Sequence, residues 1–567
     1  MEISSLHLNG FRNFNDSITN FNSNCLLIGS NDVGKSNMLH ALRILLDKSL
    51  SEADIEPSEL DFHTSYEASF EELEITAKFK DITEDAVLSV LKGYVSDDGE
   101  TYIKYSAKKS DLSFNILIGR SLEDLEEVAS RFYLKYINLK YIQSQRDLDR
   151  IIKKEKRQLL KAAQQSLTTS EKQGDESLLN EISGDLNALN EKVSQLEYVD
   201  KATEDINREL RKLAYHHSDY AVRLDTGAIK VNDFIEKLQL GANSNGSNIM
   251  LGGDGRNNQI LLSLWKAKSI KEHDIDNEVV FYVIEEPEAH LHPHQQRKLA
   301  NYLIEELPGQ TIISSHSPQI TVNFKPDSII RLLSKEGMTS AASQGCSDCI
   351  DKGWEDMSYR MSILPAESFF SNGVLLVEGP SEVLFYTELS EHVGIDLDYE
   401  NLSILSVDGI AFSVYTQILN ALEIPWVMRT DNDISKVPNQ ERWQYPGINR
   451  CLKIAGFEPY GQSNKRITAQ EIVDDGQWLK ISLLVKEKGV FLSKVDLEND
   501  LVNELPSPIL TALNKPQKSS AIEHLQRKKA LHMRSLLREI KQDLVCLKNG
   551  ELVKPLLHLN SISKEVV

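Results

Sequence analysis

Polar and hydrophobic positions alternate over residues 2–14, EISSLHLNGFRNF, around Ile3, Leu6 and Leu8, which predicts an edge strand turning at Gly10. A short apolar run, Leu26, Leu27 and Ile28, feeds the loop Gly29–Ser36, after which Met38, Leu42, Leu45 and Leu46 recur on one helical face. Alternation such as ELEITAKFK (72–80) predicts antiparallel strands before residue 120. From about 150 to 213 the period changes. Leu179, Ile182, Leu186, Leu189, Val193 and Leu196 form a heptad seam, broken at Gly184 and resumed at Ile206, Leu210 and Leu213. Two readings stay open: an amphipathic helix on its own domain, or a dimerising helical hairpin inserted in the first domain. Residues 240–259 read as a Gly/Asn/Ser loop leading into the helix QILLSLWKAK. VVFYVIEEPEAHLHP (279–293) is a buried strand ending in acids, and TIISSHSP (311–318) a strand ending at His316. The chain turns polar and small near 340–372, and a second strand–helix alternation starts at GVLLVEGPSEVLFYTEL. The pattern divides the chain into 1–345, with the insertion at about 150–213, and 371–567.

Composition narrows the class. At 567 residues the chain exceeds one ordinary core. No apolar run approaches the roughly 20 residues a membrane span needs, and the N-terminus lacks a basic-then-apolar leader. A cytoplasmic protein without a membrane partner is expected. Five Cys are few for this length, so reduced thiols are the default, and the single CxxC, Cys346 and Cys349, lacks a second pair at zinc spacing. The net charge of −22 argues against bulk attraction to nucleic acid. It suits a protein that takes several divalent cations.

Gly29 to Ser36 fit G-x-x-x-x-G-K-[ST]. Glycines let backbone N–H groups turn onto phosphate oxygens, Lys35 adds charge at the terminal phosphates, Ser36 ligates Mg²⁺, and the helix start faces the anion. ATP is therefore expected on Gly29, Asn31, Gly34, Lys35, Ser36 and Asn37. The strand 279–284 delivers Glu285, to hold Mg²⁺ through water, and Glu286, to polarise the attacking water. His316 closes the next strand within reach of the γ-phosphate. LGGDGRNN (251–258) sits where a loop would donate N–H groups to a nucleotide held by a second subunit. His290, His292 and His294 have the donors of a zinc site, but directly after the acids they read as a loop near a dimer interface.

The second half concentrates carboxylates at strand ends. Val374–Val377 ends in Glu378, with Glu382 one helical turn on. Leu402–Val407 ends at Asp408. IPWVMRTDND ends at Asp431 and Asp433, and SKVDLEND carries Asp496 and Glu498. In a parallel α/β sheet the carboxyl ends converge on one crevice, so Glu378, Asp431 and Asp433 would meet there with no neutralising Arg required. Such acids repel one another unless cations lie between them. Mg²⁺ or Mn²⁺ suits oxygen donors, and two such ions clamp a phosphodiester. Residues 515–541 set eight basic residues against two acidic ones, where phosphate contacts would lie.

LHLNGFRNF, GKSN and EEPEAHLHP resemble ABC-type ATPases of the DNA-repair branch, most nearly the overcoming-lysogenization-defect (OLD) nucleases and RecF-like proteins, over about 1–60 and 240–335. The usual Asp–Glu at the strand end is Glu285–Glu286 here, which leaves hydrolysis open beside binding. LLVEG followed by DxD resembles the Toprim domain over roughly 371–500. The resemblance implies an ABC-type P-loop ATPase joined to a Toprim α/β domain with a C-terminal basic helical region. It also implies metal-dependent cleavage of double-stranded DNA, with Glu378, Glu382, Asp431, Asp433, Asp496 and Glu498 as metal ligands. A catalytic lysine is implied beyond the last acid, Lys529 being favoured over Lys528. Within the family, layout and length are similar to the nuclease subunits of Gabija-type anti-phage systems. That likeness implies a homo-oligomer (dimer or tetramer) and a UvrD-like helicase partner. Two other readings compete: a RecF/SMC-like clamp without nuclease activity, and a strand-passage enzyme using Tyr386 or Tyr415 as nucleophile.

Overall fold

The structure is a computed structural model describing residues 1–64, 70–142, 148–213, 241–244, 247–250, 260, 263–264, 267, 278–289, 291–349, 363–407, 409 and 411–564. The expected loop 251–258, Asp408 and His290 lie outside them. Two compact units divide the chain: residues 1–144 with 275–567, and residues 145–274.

In the first unit, β1 (Glu2–Phe11) pairs with β2 (Phe14–Asn20) on one side and β4 (Glu72–Lys80) on the other. It is therefore an interior strand, not the edge that alternation alone suggested; β2 takes the edge. Gly10 lies within β1 at φ 65°, and the turn falls at residues 12–13. β5 (Thr101–Lys108), β6 (Phe114–Gly119) and β7 (Leu125–Val128) continue the antiparallel sheet. The second sheet orders β14 (Met338–Ala341), β13 (Ile329–Lys335), β3 (Asn24–Ile28), β12 (Thr311–Ser314), β11 (Val279–Glu285) and β8 (Ile137–Ile142). All but β14 run parallel. The helix Lys35–Leu46 follows β3, and Met38, Leu42, Leu45 and Leu46 are buried as the periodicity requires.

A third, wholly parallel sheet orders β16 (Leu402–Ser406), β15 (Gly373–Val377), β17 (Trp426–Thr430) and β20 (Val490–Leu492). The chain passes from β15 to β16 on one side and then to β17 on the other. The crevice between β15 and β17 is thus a topological switch point, where open α/β sheets place their sites. A small antiparallel pair, β18 (Ser435–Lys436) and β19 (Trp443–Gln444), follows β17. Buried Arg331 on β13 ties the two halves: its guanidinium donates to the carbonyls of Leu422 (3.0 Å), Glu423 (2.9 Å) and Ser371 (3.2 Å).

The second unit contains the helices Leu148–Gln165, Thr169–Ser194 and Glu197–Leu213, with a short hairpin of β9 (Gly241–Ser244) and β10 (Ser247–Met250). The helix Thr169–Ser194 runs through Gly184 without a break. A glycine costs a helix interior only about 1 kcal/mol, too little to end one this long. Leu186 is buried, whereas Ile182, Leu189, Leu196 and Ile206 are exposed.

Candidate functional site

The nucleotide loop is built from its glycines. Gly34 has φ 108°, and a Cβ there would lie 2.0 Å from Asn13 Nδ2. Asn37 Nδ2 donates to Asn13 Oδ1 at 2.8 Å, and Arg12 donates to Asn37 Oδ1 at 2.8 Å. Arg12 and Asn13 of the FRNF stretch thus brace the loop, a role the motif alone did not assign them. Lys35 Nζ donates to the carbonyls of Gly29 (3.0 Å) and Ser30 (2.7 Å). Burial holds its pKa below the ordinary lysine value, although Glu286, Asp32 and Glu285 oppose the shift. Asn31 and Ser36 are exposed at the loop.

Glu285 ends β11 buried beside Tyr141 and the Ser36 hydroxyl, and burial raises its pKa. Glu286 takes φ 41°, a left-handed conformation that costs a non-glycine residue energy and concentrates at functional sites. Its carboxylate lies 3.6 Å from His316 Nε2. Glu288, which no motif singles out, accepts from Ser315 Oγ (2.6 Å) and the His316 N–H (2.8 Å), and so fixes the loop that presents His316. His292 caps the helix Pro293–Glu305, and His294 Nδ1 meets Arg297 Nη2 at 2.6 Å.

The second site lies at the carboxyl ends of β15, β17 and β20. Glu378 follows β15. Its Oε1 accepts from the Asp431 N–H (2.9 Å), the Thr430 hydroxyl and Arg450 Nη1. Glu382 is buried in the first turn of the helix Pro380–Val393. Asp431, 4% exposed, accepts from Ser493 Oγ at 3.2 Å and lies 3.9 Å from Arg429 Nη1. Asp433 is half exposed and 3.5 Å from Arg450 Nη2. Glu498 is 1% exposed, and its Oε2 makes no hydrogen bond among the described residues. Burial raises the pKa values of Glu382, Asp431, Asp433 and Glu498 above the carboxylate range, with neighbouring acids adding to the shift.

Two arginines enter this crevice, which the sequence pattern did not require. Arg429 is buried between Asp431 in front and Asp500 behind, at 3.1 Å. Burial pulls its pKa down, but Tyr386, Asp500 and Asp431 carry it above the ordinary value. Its place was legible: residues 429 and 431 share one face of a strand. Arg450 comes from the helix Pro446–Ile454, about twenty residues beyond the DxD, where no short-range pattern links it to the acids. Among the described residues, seven carboxylates, adding Asp496 and Asp500, stand near Arg429, Arg450 and Lys529.

Of the two candidate lysines, the structure brings Lys529 to the acids, 3.8 Å from Asp431 and 3.9 Å from Glu498. Lys528 is exposed and makes no ion pair within 4.0 Å among the described residues. The placement follows from packing: Met533, Leu536, Leu537 and Ile540 of the helix Lys529–Ile540 bury in the core with Phe385 and Leu389. That burial fixes the helix start beside β17. A cation at a helix N-terminus is unfavourable, and here the carboxylates offset it. Asp496 caps the helix Leu497–Glu504, accepting from the Asn499 N–H (2.7 Å), Asn499 Nδ2 (2.8 Å) and Gln526 Nε2 (2.7 Å). Tyr386 and Tyr415 are both buried, so neither is presented for a strand-passage reaction.

Among the described residues, one group of acids and histidines has ligand atoms all within 4.8 Å: Glu388, Glu391 and His392. Lys541 already lies 2.6 Å from Glu388 and 3.6 Å from Glu391. All five cysteines are free thiols. No described helix is long and apolar enough to cross a membrane.

A nucleotide loop on one sheet and a carboxylate crevice on another define a P-loop ATPase joined to a Toprim domain. The chain belongs to the AAA ATPase domain family, whose model matches residues 1–321, and residues 369–433 match the "Overcoming lysogenization defect protein-like, TOPRIM domain". It is 26% identical over 576 residues to "Endonuclease GajA" of Bacillus cereus (strain VD045), covering 95% of this chain and 96% of that protein. It is 28% identical over 162 residues to "OLD nuclease" of Thermus scotoductus (strain ATCC 700910 / SA-01), covering 27% and 30%.

Proposed function

We propose that this protein is a divalent-metal-dependent DNA endonuclease, regulated by nucleotide at the phosphate loop and acting in anti-phage defence. The observation that carries the reading is the crevice between β15 and β17, where buried carboxylates and Lys529 converge. The donors are all hard oxygens, and Glu498 keeps a buried oxygen without a hydrogen bond, which fits Mg²⁺ or Mn²⁺. Glu378, Glu382, Asp431, Asp433 and Glu498 would hold these ions, with Asp496 at the edge. When bound, such ions neutralise charge on the attacking and leaving oxygens of a phosphodiester. Lys529 adds positive charge at the phosphoryl group, and exposed Arg527 and Lys528 contact the duplex backbone.

ATP would sit on Gly29, Asn31, Gly34, Lys35, Ser36 and Asn37, with Glu285, Glu286 and His316 facing its terminal phosphate. Arg331 supports regulation. From β13 it stands opposite Ile28 of β3, the residue before Gly29, and its guanidinium holds the segments leading into β15 and β17. The exposed apolar seam of the insertion supports a homo-oligomer. The UvrD-like helicase partner and the defence role rest on kinship with Gabija-type nucleases. The domain limits 1–345 and 371–567 are part of this reading.

Plasmid nicking by the purified protein in Mn²⁺, beside Glu378→Ala, tests the nuclease. Nicking lost in the variant supports it. Equal nicking by both proteins, or none by either, contradicts it.

A further inference from the structure

Arg450 touches two candidate metal ligands at once, a different pair from the Asp431 and Glu498 that Lys529 meets. Its Nη1 meets Glu378 Oε1 and the Thr430 hydroxyl, and its Nη2 lies 3.5 Å from Asp433. The side chain is 9% exposed and lies 5.6 Å from the centre of the Phe412 ring. Its helix cannot draw back or change register freely. Gly447 in the first turn packs so closely on the Asp431–Asp433 backbone that a Cβ would lie 2.1 Å from the Asp431 carbonyl and 2.6 Å from the Asp433 N–H. The guanidinium is therefore set against the acids by backbone packing, not by a flexible arm.

We propose that Arg450 is a positioning residue that bridges Glu378 and Asp433 as a resident cation and so sets how tightly the crevice takes a divalent ion. The inference rests on the metal-site reading above. Glu378 Oε1 accepts from three donors, which orients the carboxylate, and Oε2 has no hydrogen bond among the described residues. Among the described residues Asp433 is held by the longer contact to Nη2, and it is the acid a metal ion must take from Arg450. Guanidinium keeps its charge at every accessible pH, so the competition does not relax by deprotonation. A unit charge a few ångströms from a divalent ion opposes binding even at the high effective dielectric of a protein site. The arginine keeps the acids ordered before metal arrives and weakens metal affinity in doing so.

Calorimetric titration with Mn²⁺, without DNA or nucleotide, reads this directly. Arg450→Gln should bind Mn²⁺ about tenfold more tightly than the native protein. Metal-free Arg450→Gln should melt at a lower temperature and gain more from saturating Mn²⁺. Arg450→Lys keeps a charge but cannot fork to both acids, and should shift affinity the same way by about threefold. Unchanged or weaker binding in Arg450→Gln overturns the proposal. If that variant does not fold, unchanged or weaker binding in Arg450→Lys overturns it. Glu378→Gln separates the two readings. If native protein binds Mn²⁺ and Glu378→Gln does not, the metal site stands, and the arginine variants decide the inference alone. If neither native protein nor Arg450→Gln binds, the metal site fails and the inference falls with it.

Discussion

Lys529 Nζ stands 3.8 Å from the Asp431 carboxylate, joining the first residue of a C-terminal helix to the end of a sheet strand nearly a hundred residues earlier. Burial lowers the ammonium pKa, but Glu498, Asp431 and Glu382 outweigh it and hold the group above the ordinary lysine value. Lys529 is therefore charged throughout the neutral range and is available to a phosphoryl group. Lys529→Ala should slow plasmid cleavage by about a hundredfold or more. Lys528→Ala should change it by less than about fivefold, since that side chain points to solvent. Initial rates of the two variants, measured side by side, check the assignment.

Arg429 is an internal counter-ion rather than a surface charge. Replacing it by Met leaves Asp431 and Asp500 buried without their cation, and breaking a buried pair from one side costs roughly 3–5 kcal/mol. Urea unfolding of metal-free Arg429→Met should show a loss of that order. Saturating Mn²⁺ should recover part of it, because the ion supplies the missing charge at Asp431.

Much of this site could be read from the residues alone. The apolar runs ending in Glu378 and Asp431 are buried parallel strands whose carboxyl ends must converge, and Lys35 follows a loop with few other uses. Arg450 was illegible because helix packing, with Gly447 against Asp431, brings it in from outside the motif. The edge assignment of β1 failed for a related reason. Alternation reports one buried face but not whether both backbone sides are paired. Gly184 interrupts the apolar seam but not the helix, because 26 residues absorb one weak position.

Arg331 links the β13 strand beside the phosphate loop to the backbone before β15 and β17. Arg331→Gln should leave ATP affinity and nucleotide-free cleavage within about threefold of native, while abolishing the change in cleavage that ATP produces; the affinity range reflects modest loss of buried carbonyl partners. Equilibrium ATP binding and cleavage with and without ATP test this. An undiminished ATP response would remove Arg331 from the route.

His40 lies on the helix Lys35–Leu46 that follows the phosphate loop, and burial together with Arg12 and Arg43 lowers its pKa from 6.5 to about 4. Between those values the unfolded chain takes up a proton that the folded chain refuses. This contribution is present above pH 6.5 and is lost as pH falls toward 4. The melting temperature should fall across that interval, and His40→Gln should flatten the fall.

The most direct measurement of the central claim is plasmid cleavage in Mn²⁺, with and without ATP, by native protein, Glu378→Ala and Lys35→Ala. The account predicts no cleavage by Glu378→Ala although it binds ATP normally, and cleavage by Lys35→Ala that no longer responds to ATP. Loss of nucleotide binding in Glu378→Ala, or an ATP response retained in Lys35→Ala, would contradict two separate sites in which one governs the other.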